Sequence, residues 1–214
     1  MSIALDAVSA YDLAFSGRLT QVVDHVGRVE PFDVATWSAE PDWVDRELFI
    51  DPCDDATLDV GCGPGRLVGA LAARRIPAMG IDVSREAVRQ TRVRGALALR
   101  RDVFSTMPGE GRWAYALLAD GNLGIGGDPV RLLARLADLL TPGGRVIAEV
   151  ADTGTGLVRE RRQFRVDGRL SAPFDWAVVG LDAIAEVAAD AGMRVVATSS
   201  IGGRHTATMV RTSP

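Results

Sequence analysis

The stretch of sequence that decides the fold of this chain runs Thr57-Leu58-Asp59-Val60-Gly61-Cys62-Gly63-Pro64-Gly65-Arg66. Its first four residues have the apolar character of a buried strand, and three glycines spaced two apart follow. Because glycine has no Cβ, the backbone at these positions can close on a ligand. The Asp59 carboxylate is expected to face the same space. The stretch therefore predicts a pocket for a nucleotide-like ligand, between a strand and the helix that follows it.

The spacing of the glycines separates two kinds of nucleotide site. A dinucleotide fingerprint needs a third glycine three positions after the second, and that position holds Arg66. Without a pyrophosphate to bind, the acidic Asp59 suits the ammonium group of an amino acid better. The stretch resembles motif I of the class I S-adenosylmethionine-dependent methyltransferases, whose acidic-x-Gly-x-Gly-x-Gly pattern falls on Asp59, Gly61, Gly63 and Gly65. Two alternatives stay open: an NAD-dependent oxidoreductase, and a module that binds S-adenosylmethionine or S-adenosylhomocysteine without catalysis.

The resemblance implies further contacts to S-adenosylmethionine after the next strands. In the family, an acidic residue at the position of Asp82 accepts the ribose hydroxyls, and one at the position of Asp102 binds the adenine amino group. The loop that begins at Asp120 is expected to meet the methionine end of the cofactor or the substrate. The complete expected cofactor set is Asp59, Gly61, Cys62, Gly63, Gly65, Arg66, Asp82, Val83, Asp102, Val103, Ala119, Asp120 and Asn122.

Candidate substrate residues lie outside the nucleotide motifs. Tyr11 and the following aspartate resemble a pair in the lid of many small-molecule methyltransferases, where the tyrosine approaches the sulfonium. Trp37 and Trp176 are aromatic residues in the two segments that surround the motif region. We expect these three side chains to contact the substrate.

The resemblance implies methyl transfer by in-line displacement at the sulfonium, onto an oxygen, nitrogen or carbon of a small molecule. Since the sulfonium is already a good leaving group, positioning and exclusion of water supply much of the catalysis. A general base matters only for a phenol or alcohol acceptor. Asp120 and His205 are the catalytic candidates, and Glu149 is a further candidate base.

Beyond residue 57, short apolar runs alternate with helical patterns, which indicates βαβ units. We predict an α/β fold with a doubly wound, seven-stranded, mostly parallel sheet that ends in an antiparallel hairpin. Residues 1–50 are predicted to form an N-terminal helical lid. Residues 51–214 are predicted to form the cofactor-binding core, with an insert over residues 151–180 that has its own strands or covers the site. The predicted strands are Thr57–Val60, Ala78–Val83, Leu97–Arg100, Tyr115–Ala119 and Arg145–Val150, with the hairpin at Arg194–Ser199 and Arg204–Val210.

Composition narrows the possible partners. A chain of 214 residues fits one α/β domain, and its net charge of −4 disfavours a nucleic-acid substrate. All 24 basic residues are arginines, which excludes a Schiff-base lysine and a phosphate-loop lysine. The only cysteines, Cys53 and Cys62, make neither a disulfide framework nor a metal site. With no signal peptide and no membrane span, we expect a cytoplasmic monomer or homodimer that acts on a small molecule.

Overall fold

The structure is a computed structural model that describes residues 5–212. A π-helical turn covers Arg46–Ile50 and a 3-10 turn covers Asn122–Gly124. The helices are α1 (Ala7–Phe15), α2 (Val34–Ser38), α3 (Trp43–Asp45), α4 (Arg66–Ala73), α5 (Arg85–Val93), α6 (Pro129–Leu139) and α7 (Ile184–Asp190). The strands are β1 (Thr20–Val23), β2 (Val29–Pro31), β3 (Thr57–Val60), β4 (Ala78–Asp82), β5 (Ala98–Arg100), β6 (Trp113–Leu118), β7 (Leu140–Val150), β8 (Leu157–Val166), β9 (Arg169–Leu170), β10 (Phe174–Val179), β11 (Met193–Ile201) and β12 (Arg204–Arg211).

The main sheet has seven strands in the order β11-β12-β7-β6-β3-β4-β5. The five strands from β7 to β5 run parallel, while β12 pairs antiparallel with both β7 and β11. This arrangement confirms the predicted doubly wound sheet with a closing hairpin. The strand order reverses between β3 and β6, and in open α/β sheets such a switch point is where ligands bind.

Both faces of the main sheet are covered, so its central strands are largely buried and mostly apolar. Leu58 and Ala116 lie in the core on the side of α6, which contributes Leu132 and Leu136. Leu117 faces the opposite core, which contains Phe49 of the π-helical turn and Leu71 of α4. Burial on both faces explains why these strands read as continuous apolar runs in the sequence.

A second, smaller sheet covers the carboxyl ends of the central parallel strands. It has the order β10-β8-β1-β2, with β9 paired to β8, and all of its pairs are antiparallel. We call these five strands the lid sheet. The predicted insert over 151–180 thus has strands of its own, and they pair with strands of the N-terminal segment.

The N-terminal segment is therefore not purely helical, and the prediction of a helical lid over residues 1–50 is wrong for β1 and β2. The reason is that β1 takes its partner from a distant part of the chain, with Gln21 opposite Arg165. A four-residue strand whose partner is this far away leaves little local pattern. Residues 1–4 of that predicted lid lie outside the described residues.

The longest helix of residues 5–212, α6, has 11 residues. Within that range, no helix combines the length and apolar character needed to cross a bilayer.

Candidate cofactor and substrate site

A cavity of about 950 Å³ lies between the lid sheet and the carboxyl ends of β3, β4 and β6. Single-ligand pockets usually span about 300 to 1,000 Å³, so this volume stands at the upper end of that range. Most residues predicted from the sequence line the cavity. They are Tyr11, Trp37, Asp59, Gly61, Cys62, Gly63, Arg66, Asp82, Val83, Asp102, Val103, Ala119, Asp120, Asn122, Glu149 and Trp176.

The glycine loop is fixed by the side chain of Asn122. Its amide nitrogen Nδ2 donates hydrogen bonds to the carbonyl oxygens of Val60 and Gly61, both at 3.0 Å. Gly61 has a φ of +71°, and a Cβ added there would lie 2.6 Å from Asn122 Nδ2. The loop after β6 and the loop after β3 therefore fit together only because residue 61 is glycine.

Gly65, which the sequence predicts to contact the cofactor, does not line the cavity. It begins α4 with a φ of +88°, and a Cβ there would lie 2.6 Å from the Thr91 side chain on α5. The Thr91 hydroxyl donates to the Gly63 carbonyl at 2.8 Å. The third glycine of the motif thus serves the packing of α4 on α5. Cys62 is buried, and its Sγ occupies the space that glycine leaves at position 80.

Acidic residues stand at the end of β4 and after β5, at the two positions where the sequence predicts contacts to an adenosine. Asp82 is partly buried and accepts hydrogen bonds from the backbone amides of Gly63, at 3.0 Å, and Ser84, at 2.8 Å. Burial raises the pKa of Asp82. Asp102 is exposed and caps its own turn by accepting from the Phe104 amide at 2.9 Å. The Asp82 carboxylate therefore holds the glycine loop and the turn at Ser84 together.

Asp59 is nearly inaccessible, with 3% of its surface exposed, and it accepts a hydrogen bond from the Val68 amide at 3.3 Å. Burial, and then the neighbouring charge of Asp120, raise the pKa of Asp59 to about 7. An acid with such a pKa carries a proton in about half of the molecules near neutral pH. A cationic ligand group beside it would favour the ionised form.

Arg66 lines the cavity, but neighbouring carboxylates already bind its guanidinium. Nη1 pairs with Asp45, and Nη2 donates to both oxygens of Asp120 at 2.8 and 2.6 Å. Its Nε is buried and has no hydrogen-bond partner among the described residues. Arg66 is 6% exposed, so its charge is balanced inside the protein.

A second arginine, Arg204 of β12, completes this cluster. It donates to Glu149 at 2.8 and 2.7 Å, to Asp45 at 2.6 Å and to Asp120 at 3.3 Å. We name Asp45, Arg66, Asp120, Glu149 and Arg204 the arginine–carboxylate cluster. Neither Asp45 nor Arg204 was predicted from the sequence. The position of Arg204 follows from the sheet order, because β12 runs antiparallel to β7 and therefore begins at the carboxyl end of β7.

The predicted catalytic residues are separated by the structure. Asp120 lies in the cavity wall with a φ of +52°, and its backbone amide donates to the Glu149 carboxylate at 2.6 Å. Burial raises the pKa of Asp120. His205, the other predicted catalytic residue, does not line the cavity. Adjacent residues of a strand point to opposite faces, so Arg204 faces the site while His205 lies against Ser200 at 2.8 Å and Asp152 at 3.7 Å.

The predicted substrate residues Tyr11, Trp37 and Trp176 belong to a larger aromatic wall under the lid sheet. The Tyr11 ring lies 4.6 Å from Phe164 and 5.5 Å from Phe32, measured between centroids. The sequence analysis missed Phe32, Phe164 and Phe174, because the pairing of β1 with β8 brings them together. Burial raises the pKa of Tyr11, so its hydroxyl stays protonated.

Helix α1 is held in place by Asp12, which stands next to Tyr11. Asp12 accepts hydrogen bonds from the Ser84 hydroxyl at 2.6 Å and the Glu86 amide at 3.1 Å. Ser84 also donates its amide to Asp82. Tyr11 on the lid side and the Asp82 carboxylate at the end of β4 are thus linked through two residues, Asp12 and Ser84.

Comparisons with known proteins agree with this geometry. Residues 57–144 match the family model described as Methyltransferase domain. A Streptomyces fradiae protein, described as an uncharacterized 37.1 kDa protein in transposon TN4556, is 33% identical over 113 residues. That match covers 48% of this chain but only 33% of the relative, so the chain aligns with about a third of the relative's length.

Two solved structures share the fold over most of the chain. An S-adenosylmethionine-dependent methyltransferase from Bacteroides fragilis, in complex with S-adenosylhomocysteine, has a TM-score of 0.78 at 18% identity, covering 99% of this chain and 98% of that one. The 1,6-didemethyltoxoflavin-N1-methyltransferase of Burkholderia thailandensis, with 1,6-didemethyltoxoflavin and S-adenosylhomocysteine bound, has a TM-score of 0.60 at 19% identity, covering 85% and 82%.

Residues 57–144 thus match a methyltransferase domain, and the fold is shared with solved S-adenosylmethionine-dependent methyltransferases. The matched domain favours a methyltransferase over the NAD-dependent oxidoreductase that the glycine pattern left open.

Proposed function

We propose that the chain transfers a methyl group from S-adenosylmethionine to a small-molecule acceptor. The observation that carries the proposal is the continuity of the cavity, which runs from the glycine loop at Gly61 to the aromatic wall at Phe174. A cofactor seated on the loop would present its methyl group toward the wall. The remaining volume suits an acceptor of modest size better than a polymer.

S-adenosylmethionine supplies an electrophilic methyl group on a sulfonium. The acceptor's lone pair forms the new bond to that carbon while the carbon–sulfur bond breaks, its electron pair stays on sulfur, and S-adenosylhomocysteine leaves. For this reaction the protein needs to align the reactants and exclude water. Asp82 and Asp102 would hold the adenosine, Asp59 would face the ammonium group, and the lid sheet would cover the acceptor.

Asp120 is better suited to positioning than to proton transfer. Arg66 binds both of its oxygens, and such pairing favours the ionised, hydrogen-bonded carboxylate over one that exchanges protons. Its left-handed backbone turn and the Glu149 contact fix it against the methionine end of the site. A base is not needed for an acceptor that attacks as a neutral nitrogen.

The test combines binding and turnover. Calorimetry should detect S-adenosylhomocysteine binding to the wild type, and Asp82→Asn should weaken it about tenfold or more, since the amide loses one of the two acceptor oxygens. Asp138→Asn is the matched control, because Asp138 is an exposed residue of α6 outside the cavity. Circular dichroism checks that both variants fold.

Turnover is followed with S-adenosylmethionine that carries a labelled methyl group and mixtures of small amines and phenols. Label in an acceptor supports the transferase. Tight binding of S-adenosylhomocysteine without labelled product from any acceptor would instead favour the non-catalytic binding module. Failure of the wild type to bind S-adenosylhomocysteine would overturn both.

A further inference from the structure

The lid side of the cavity is lined by aromatic side chains, which binding of the cofactor does not explain. Its wall is made of aromatic rings from α1, the segment after β2, β8 and β10. Phe164 stacks on Phe174 with centroids 4.8 Å apart, and Trp176 lies edge-on to Phe174 at 6.3 Å. Such rings present flat, electron-rich faces that bind aromatic groups and cations.

The charged groups on this wall are mostly acidic, and nearly all of them are bound by neighbouring groups of the protein. The lid sheet contributes one arginine to the wall, Arg162, which donates to Glu160 at 2.7 Å. Asp33 caps α2 through Thr36, and Asp175 lies 3.4 Å from Arg161.

Glu30 differs from these carboxylates. It is exposed on β2, and among the described residues it has no ion pair or side-chain hydrogen bond. A carboxylate that lines a cavity and has no partner in the protein is available to a cationic ligand group.

Glu30 also stands where two cavities meet. A second cavity of about 200 Å³ shares Val22, Glu30 and Arg162 with the large one. Its remaining wall is polar and charged, with Asp24, Arg28 and Glu160. An acceptor whose ring lies on the aromatic wall can therefore extend an arm past Glu30 into a polar space.

We propose that the methyl acceptor is a small aromatic compound with a basic amine arm, whose ring packs against Phe164, Phe174 and Trp176 and whose ammonium pairs with Glu30. This inference rests on the proposed function, because it names the substrate class of the same cavity. On the lid sheet, a phosphorylated or carboxylated acceptor would meet the unpaired Glu30 carboxylate, because Arg162 is already paired with Glu160.

Three probes of similar size separate the parts of the proposal. 2-Phenylethylamine has the ring and the ammonium, 2-cyclohexylethylamine keeps only the ammonium, and 3-phenylpropionate keeps the ring with an anionic arm. Each is titrated by calorimetry into the full chain saturated with S-adenosylhomocysteine. We expect 2-phenylethylamine to bind at least about fivefold more tightly than either of the others.

Variants test which residues cause the tighter binding of 2-phenylethylamine. Glu30→Gln should weaken 2-phenylethylamine about tenfold and leave S-adenosylhomocysteine affinity unchanged. Glu186→Gln is the control, since Glu186 is an exposed residue of α7 outside both cavities, and it should change neither. Phe174→Leu keeps an apolar side chain but removes the ring, and it should reduce the preference for phenyl over cyclohexyl.

The outcomes are distinguishable from a failure of the proposed function. If S-adenosylhomocysteine does not bind, the proposed function fails. If it binds but 2-phenylethylamine shows no advantage, including the case in which no probe binds, the acceptor class is wrong while the methyltransferase assignment stands. Equal affinity of wild type and Glu30→Gln for 2-phenylethylamine would remove Glu30 from the site.

Discussion

Asp59 connects the burial of one side chain to the pH response of the protein. A carboxyl group in the interior loses hydration when it ionises, so the folded chain holds its proton more tightly than the unfolded chain does. In the folded chain the pKa of Asp59 rises from its ordinary value of 3.8 to about 7. The folded state therefore binds more protons than the unfolded state across that interval, and its stability falls as the pH rises.

We predict that the free energy of unfolding decreases between about pH 4 and pH 7, by up to about 4 kcal/mol from Asp59 alone. Asp59→Asn removes the ionisable group and should flatten this part of the profile. Urea denaturation of both proteins at pH 5, 6, 7 and 8, without cofactor, measures the difference. Profiles that stay parallel over this range would contradict the burial argument.

Single residues of the cavity wall were predictable where their signal is local. Asp59, Gly61 and Gly63 stand in one short stretch, and the strand ends at Asp82 and Asp102 follow from the same repeat. The positions of Gly65 and His205 outside the cavity lining had no local signal. The contact of position 65 with Thr91 depends on how α4 packs on α5, and the direction of the His205 side chain depends on the register of β12 against β7.

At the scale of elements, β12 closes the main sheet and also supplies a charge to the site. Arg204 is the first residue of that strand and binds carboxylates from three other segments, at Asp45, Asp120 and Glu149. Removing one partner of a buried ion pair costs more than the pair contributes, because the remaining charges stay buried without compensation. The hairpin thus holds the loop after β6 as well as the sheet edge.

Arg204→Met should lower the free energy of unfolding by about 3 kcal/mol and weaken S-adenosylhomocysteine binding, since Asp120 and Glu149 would repel each other. Arg211→Met is the matched control at the other end of β12, where the side chain is exposed, and it should have little effect. Thermal unfolding and calorimetry give the two quantities. A loss of stability without any change in affinity would confine Arg204 to a structural role.

At the scale of the whole molecule, the main sheet was predictable and the lid sheet was not. Each parallel strand is a short apolar run between turn signals, so β3 to β7 can be found one at a time. The two parts of the lid sheet are joined by the pairing of β1 with β8, which lie far apart in the chain. Its aromatic wall could therefore not be assembled from local patterns.

The two sheets should open with different free energies. The lid sheet has a small apolar core around Phe164 and Val166, and its edge strand β2 is fully exposed. We expect amides of β1 and β8 to exchange with one shared opening free energy, below that of β3 and β6. Native-state hydrogen exchange measured against urea tests this, and β2, as an exposed edge, should exchange faster than both. Independent exchange of β1 and β8 would show that the lid sheet is not one cooperative unit.

Because Gln21 pairs with Arg165, strand β1 remains without its partner until β8 has been synthesised. Ribosomes add about 5–20 residues per second, so β1 emerges roughly ten seconds or more before β8. During that interval the apolar side chains around Phe32 have no lid partner, while β3 to β6 can already pair with one another. The nascent chain can therefore pair its parallel strands first, and the cavity between the two sheets forms only after most of the polypeptide has been made.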